Sequence, residues 1–215
     1  MTERTLTPAD EFVKALRAKA PRFGVRLDEA PAARLRDYFE HVMAWNKRLH
    51  LVAPCPPAEF ATRHVLESLL ALPLLSRAAR VVDVGSGAGL PVIPCLIARP
   101  ALDATLFESS QKKAVFLREA LRLLDRPERA RVMAGRFENA EAPEADALTC
   151  RALDRFTELF PELNRWSARI KTLLLFGGDS LREEIERAAL PYTPLLVPES
   201  ERRFLFVVER EASAE

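Results

Sequence analysis

The chain has 215 residues, 48% apolar and 29% charged, with a net charge of +1 at pH 7, a composition that excludes a disordered chain. No stretch approaches the roughly 18 uninterrupted apolar residues of a transmembrane helix. The opening MTERTLTPADEF lacks the apolar run of a secretory signal, so a cytoplasmic protein is expected.

Cys55, Cys95 and Cys150 are odd in number, widely spaced and without a CxxC pair or a histidine cluster nearby. They suggest neither a disulfide framework nor a zinc site, and no metal is expected. Charge is mildly uneven: residues 1–79 hold 12 Lys+Arg against 9 Asp+Glu, and residues 80–215 hold 20 against 22. That permits a local nucleic-acid footprint without establishing one.

Thr7-Pro8-Ala9-Asp10 reads as a helix start, with a threonine cap, a proline whose missing N–H is harmless and an acid at the third position. Leu35, Phe39, Val42, Met43 and Leu49 then recur at helical spacing, with Arg36, Asp37, Glu40, Lys47 and Arg48 largely opposite. APCPP at 53–57 interrupts the pattern, which resumes from Phe60 to Leu72 and stops near Pro73.

From Arg80 short apolar runs alternate with amphipathic segments, the pattern of strands and crossover helices around a parallel sheet. Strands are expected at 80–84, 104–108, 130–134, 146–150 and 171–176, and helices over Leu90 to Ala98, Gln111 to Leu124, Asp154 to Trp166 and Ser180 to Ala189. YTPLLV and RFLFVVE lie too close together for a crossover helix and should pair antiparallel. The expected architecture is α/β: a small helical lobe over 1–79, then a Rossmann-like domain over 80–215, mostly parallel with an antiparallel C-terminal hairpin.

The sharpest local signal is Asp83-Val84-Gly85-Ser86-Gly87-Ala88-Gly89-Leu90, a glycine turn between a strand and a helix. Such a turn lets backbone approach a ligand closely. Its spacing is GxGxG after an acid, whereas a pyrophosphate-binding turn wants GxGxxG. S-adenosylmethionine has no pyrophosphate but carries a sulfonium and an ammonium, whose positive end Asp83 can help to hold. Glu108 ends the second strand about 20 residues past the loop, where an acid can take both ribose hydroxyls. The competing reading is a glycine turn that serves only helix–sheet packing.

Six segments go further: YFEHVMAWNKRLHLVA at 38–53, RHVLESLLALPLL at 63–75, DVGSGAGLPVIP at 83–94, ESSQKKAVFLREALRLL at 108–124, GRFENA at 135–140 and CRAL at 150–153. On these the chain resembles the bacterial 16S ribosomal RNA guanine-N7 methyltransferase family, also called glucose-inhibited division protein B. The resemblance implies that Gly85, Gly87, Gly89 and Leu90 line the cofactor site, that Glu108 meets the ribose and that Phe137 and Glu138 flank the adenine. It further implies Arg151 beside the methionine moiety or substrate as the catalytic candidate. Lys112 and Lys113 match a basic pair next to the cofactor pocket, and Arg63 and His64 a basic pair in the lobe, all four facing RNA. The implied partner is 16S ribosomal RNA, presented on a 30S subunit or assembly intermediate; the sequence leaves the oligomeric state open, with a monomer favoured. Glu67 and Glu108 stand where the family usually has aspartate, Cys150 replaces a common serine, and LFGGDS at 175–180 lacks the lysine of the family's LKG.

Exocyclic amine methylation is commonly served by an Asn or Asp-Pro-Pro-aromatic loop after the fourth strand, where this chain has CRALDRF. Pyrimidine C5 methylation needs a cysteine nucleophile, and Cys55 and Cys95 lie in the lobe and in the first crossover helix. Guanine N7 offers an in-plane lone pair, so alignment and electrostatics suffice without a general base. The rival readings are a methyltransferase for another RNA, a protein or a small molecule, and a non-catalytic ribosome-assembly factor of the same fold. Trp45 and Asn46 are open between lobe packing with a helix-end hydrogen bond and base stacking.

Overall fold

The helix start expected at Thr7 is made by a reciprocal cap. In the computed structural model, which describes residues 6–75, 80–124, 129–151 and 156–210, Thr7 Oγ1 accepts from the Asp10 N–H at 3.2 Å. The Thr7 N–H donates back to Asp10 Oδ2 at 3.1 Å, which satisfies donors a helix terminus otherwise leaves unpaired. Helix α1 (Pro8–Lys19) then leads through a short 3₁₀ turn to α2 (Glu29–Leu49).

The next helical stretch has three pieces: an α turn at Pro57–Glu59 (α3), a π-helical segment at Phe60–Leu66 and a second α turn at Glu67–Leu69 (α4). Periodicity alone expects a plain α-helix as far as Leu72, but the chain turns after Leu69. A π segment takes in more residues per turn and frequently marks a functional site.

Seven strands form one sheet: β1 (Arg80–Val84), β2 (Asp103–Glu108), β3 (Ala130–Ala134), β4 (Ala147–Arg151), β5 (Thr172–Gly177), β6 (Tyr192–Leu196) and β7 (Phe204–Glu209). Their order is β3-β2-β1-β4-β5-β7-β6. The first five pair in parallel, and β7 runs antiparallel between β5 and β6. The expected terminal hairpin is present, and its second strand inserts next to β5.

The crossover helices are α5 (Val92–Ala98), α6 (Gln111–Leu123), α7 (Phe156–Trp166) and α8 (Asp179–Arg187). Helix α5 starts two residues later than expected, because Gly89 and Leu90 still belong to the turn, both donating to the Ser86 carbonyl. The expected start at Asp154 lies outside the described residues. No helix among the described residues is long and apolar enough to cross a membrane.

Each face of the sheet is covered. Val82, Val84, Leu148, Leu173 and Leu175 pack with α7 and α8 on one side. Val81, Leu106 and Leu174 on the other share a continuous apolar cluster with α5, α6 and the N-terminal helices. Burial on both faces is why the strands read as unbroken apolar runs. At the centre of the N-terminal part Phe12 stacks on Phe39 with ring centroids 4.6 Å apart, and Phe60 meets both rings edge-on. Phe12→Ala should therefore lower stability by about 3–5 kcal/mol, read as a reduced urea midpoint with an unchanged slope.

Candidate functional site

Strand order reverses between β1 and β4, and a crevice opens at the carboxyl ends of strands on either side of such a switch point. The glycine turn occupies that position. The N–H groups of Gly85 and Ser86 both donate to the Phe107 carbonyl, at 3.0 and 3.1 Å, tying the turn to the end of β2. Glu108 completes the tie: Oε2 accepts from the Gly87 N–H and Oε1 from the Ser110 N–H, each at 2.8 Å. Each carboxylate oxygen retains acceptor capacity for a ligand.

Two glycines in the turn do different work. Gly87 has φ +52° and a Cβ added there would meet only the Gly85 carbonyl, 3.8 Å away, so its open side faces the crevice. Gly89 has φ +86°, and its Cβ would lie 2.3 Å from Ile93 Cδ1. Packing against α5 accounts for Gly89, as the packing reading of the turn expects.

The crevice is a cavity of about 720 Å³, within the range of small-molecule sites. Of the residues singled out from sequence, Gly85, Gly87, Leu90, Glu108, Lys113, Phe137, Glu138, Arg63, His64 and Arg151 all line it. Asp83, Gly89 and Lys112 do not. Lys112 is exposed beside a half-buried Lys113, because consecutive helical residues point about 100° apart and cannot share one wall. Asp83 is fully buried behind the turn.

Burial pushes the Asp83 carboxyl up to about 7, against the hydroxyls of Ser86 and Thr149. Thr149 Oγ1 donates to Asp83 Oδ1 at 2.6 Å, while Oδ2 has no hydrogen-bond partner among the described residues. An unpartnered buried carboxylate oxygen is costly, and a cation beyond the turn would favour its ionised form. Asp83 can thus act on a ligand through its field rather than by contact.

His64 departs from the expected basic pair. Burial, then Arg151, Arg63 and Arg203, depress its pKa to about 3, so it lines the cavity as a neutral imidazole against Phe60. It carries no charge for a phosphate. Arg63 remains an exposed cation, paired with Glu59 at 2.6 Å.

Arg151 sits at the end of β4 and spends both amino groups on the N-terminal part. Nη1 donates to the His64 carbonyl at 3.3 Å and to Ser68 Oγ at 3.2 Å. Nη2 donates to Glu67 Oε2 at 3.2 Å and to the Arg63 carbonyl. The Phe176 ring lies 5.8 Å away, at the position where the family's lysine is missing.

The contacts of Tyr38 and Glu67 escaped the sequence reading, and those of Asn46 decide between its two readings. Tyr38 Oη in α2 donates to the Ala88 carbonyl at 2.6 Å in a buried contact, fastening the glycine turn to the helical lobe. The Asn46 side chain grips Val52 at two points, Nδ2 donating to its carbonyl at 3.1 Å and Oδ1 accepting its N–H at 3.0 Å. This holds His50 to Ala53 as the lobe wall of the cavity, so Asn46 makes a helix-end hydrogen bond and Trp45 packs near Phe116. The last is Glu67 between Arg151 and Arg203, which the sequence marked only as a glutamate where the resembled family has aspartate.

The family described as rRNA small subunit methyltransferase G matches residues 32–201. The Ribosomal RNA small subunit methyltransferase G of Anaeromyxobacter dehalogenans is 37% identical over 83% of this chain and 82% of its own length. That of Xanthomonas axonopodis pv. citri is 42% identical over 84% and 88%. Among solved structures, cofactor-bound Rv0187 from MTB superposes with a TM-score of 0.60 at 18% identity, covering 97% of this chain and 100% of its own. The O-methyltransferase from Bacillus cereus in complex with SAH gives 0.59 at 16%, covering 92% and 100%. At such identities these two establish the Rossmann-like methyltransferase fold.

The two displaced pKa values oppose each other in stability. The unfolded chain binds a proton at His64 near pH 6.5 and the folded chain does not until about 3, so stability falls as pH drops through that window. Asp83 takes up its proton in the folded state first, so its contribution rises as pH drops from about 7 to about 4. His64→Gln should therefore gain on the order of 2–3 kcal/mol relative to the parent between about pH 7 and pH 4. Urea titrations across that range check the sign, and Asp83→Asn should move the opposite way.

Proposed function

The chain belongs to the rRNA small subunit methyltransferase G family, and on that premise we propose that it methylates N7 of a guanine in 16S ribosomal RNA. It is an S-adenosylmethionine-dependent methyltransferase acting on small-subunit ribosomal RNA. The finer reading makes 1–79 the lobe and 80–215 the methyltransferase domain of a cytoplasmic monomer that meets its RNA on a 30S particle.

One observation carries this reading: the glycine turn with Glu108 and the lobe residues Arg63 and His64 face the same cavity. The turn side suits the cofactor. Gly87 offers a backbone that can be approached, Glu108 has acceptors left for a ribose diol and Phe137 supplies an apolar wall beside Glu138. Asp83 supplies negative charge beneath the turn. S-adenosylmethionine brings an electrophilic methyl carbon on a sulfonium, and the lobe side is left for the base.

Guanine N7 needs no proton removed, so the residues have only to align, exclude water and tolerate a cation. His50 to Ala53 and the neutral His64 border the base end, and Arg151 orients what lies between the two ends. No cysteine is placed for covalent attack. Cys95 is fully buried with its thiol pushed up to about 12 by burial, Cys150 is buried as well, and Cys55 lies outside the cavity lining. The chain after β4 carries no amine-binding loop in its sequence.

Gly87→Arg should abolish calorimetrically measured S-adenosylhomocysteine binding while the protein still melts cooperatively, because the new side chain fills the crevice; unchanged affinity removes the turn from the site. Methylated RNA should be cut at the modified nucleotide by borohydride and aniline, with Cys55→Ala and Cys95→Ala nearly as active as the parent. Methyl incorporation without such cleavage overturns the N7 assignment.

A further inference from the structure

We infer that Glu67 is a positioning residue, whose carboxylate fixes the Arg151 guanidinium at the lobe end of the cleft by bridging it to Arg203 of the β6–β7 connection. The inference rests on the reading of Arg151 as the orienting group between cofactor and base.

Glu67 is 4% exposed and each of its oxygens faces a different guanidinium: Oε2 lies 3.2 Å from Arg151 Nη2 and Oε1 lies 3.0 Å from Arg203 Nη2. These three residues come from three parts of the chain: the strand end at the crevice, the turn that closes the π segment, and the hairpin connection. A buried carboxylate carries a large desolvation cost, which two cations in good geometry offset. Burial raises the Glu67 pKa and both arginines work against that rise.

Among the described residues the other acceptors around Arg151, two backbone carbonyls and a serine hydroxyl, are neutral. They can hold the guanidinium in a plane but leave its charge uncompensated. Without Glu67, Arg151 and Arg203 would also face each other as like charges. The β6–β7 connection is held a second time, since Glu199 accepts from Lys19 and Arg22 at 2.7 Å each. Arg203 therefore arrives on a connection already anchored to the N-terminal helices, and a bridging carboxylate can transmit that rigidity to Arg151. The carboxylate on Nη2, beside the neutral acceptors on Nη1, fixes the guanidinium in direction as well as place.

The test uses the full chain with isotopically labelled arginine, in the parent, Glu67→Gln and Glu67→Asp. In the parent and in Glu67→Asp, the two Arg151 amino groups should give separate resonances, because rotation of a doubly held guanidinium is slow. In Glu67→Gln they should average. Methyl transfer to 30S particles should show kcat down about tenfold or more in Glu67→Gln, with the particle KM and S-adenosylhomocysteine affinity within about threefold. Glu67→Asp should regain most of the loss. Unchanged kcat in folded Glu67→Gln, or separate Arg151 resonances there, overturns the inference, as does a parallel loss of cofactor affinity. If Glu67→Gln does not fold, Arg203→Met removes one arm from the half-exposed side, and normal kcat with unaveraged Arg151 resonances in that variant overturns it equally. A parent enzyme that methylates no 30S RNA refutes the functional reading instead, and the resonances then decide the positioning claim by themselves.

Discussion

A cation brought out of water at the end of β4 has to be satisfied where it stands, and the way Arg151 is satisfied joins the two walls of the cleft. Among the described residues its amino groups reach only acceptors of the N-terminal helical stretch. The sheet cannot supply these, because the carbonyls of a central strand are committed to its neighbours. A helical segment with π geometry can, since its wider turn alters the backbone pairing and leaves carbonyls accessible to a side-chain donor. The departure from α geometry at Phe60–Leu66 thus belongs to the same arrangement as the arginine it faces. With Tyr38 fastened to Ala88, Glu67 bound to Arg203 and Glu199 to Lys19 and Arg22, lobe and sheet meet at several polar points and through continuous apolar packing.

The glycine turn shows how one motif serves binding and folding together. Gly87 leaves its open side to the crevice, while Gly89 lets Ile93 pack where a side chain would clash. Glu108, read from sequence as a ribose acceptor, first organises the protein by bridging the turn to the start of α6 through two backbone N–H groups. The carboxylate is therefore oriented before any ligand arrives, which lowers the ordering cost on binding. Asp83, three residues before Ser86, sits one layer deeper and contributes charge without contact.

The legible part of the fold was the part in which local pattern and tertiary burial agree. RVVDV and KTLLLF read as strands because both faces are covered, and the cap at Thr7 is local chemistry. The insertion of β7 beside β5 is a long-range pairing that no local pattern encodes. Phe60–Leu66 misled for the same reason, since apolar spacing does not separate π from α, and the segment's contact with Arg151 comes from far along the chain. In the site, residues within motifs were found together, but neighbours in sequence were treated as neighbours in space. Lys112 and Lys113 part company once helical rotation is applied, and Asp83 belongs to the buried strand β1 whereas Gly85 begins the turn beyond it. His64 looked basic next to Arg63; its depressed pKa depends on burial, on Arg151 and Arg203 from elsewhere in the chain, and on Arg63 itself.

That depressed pKa bears directly on the chemistry. Transfer of a methyl from a sulfonium to a ring nitrogen conserves charge within the cleft: sulfur loses a positive charge and the base acquires one. A site for such a step needs fixed charges that hold still while the mobile one moves a short distance. His64, held neutral, adds no repulsion at the end where the base becomes cationic, and Arg151 stands balanced by Glu67. Asp83, with its pKa near neutrality, lies behind the turn at the end the charge leaves. On the function proposed above, its ionisation would strengthen the hold on a sulfonium more than on the uncharged thioether that remains. On the same proposal the barrier is governed by alignment, which the polar ties between lobe and sheet would set.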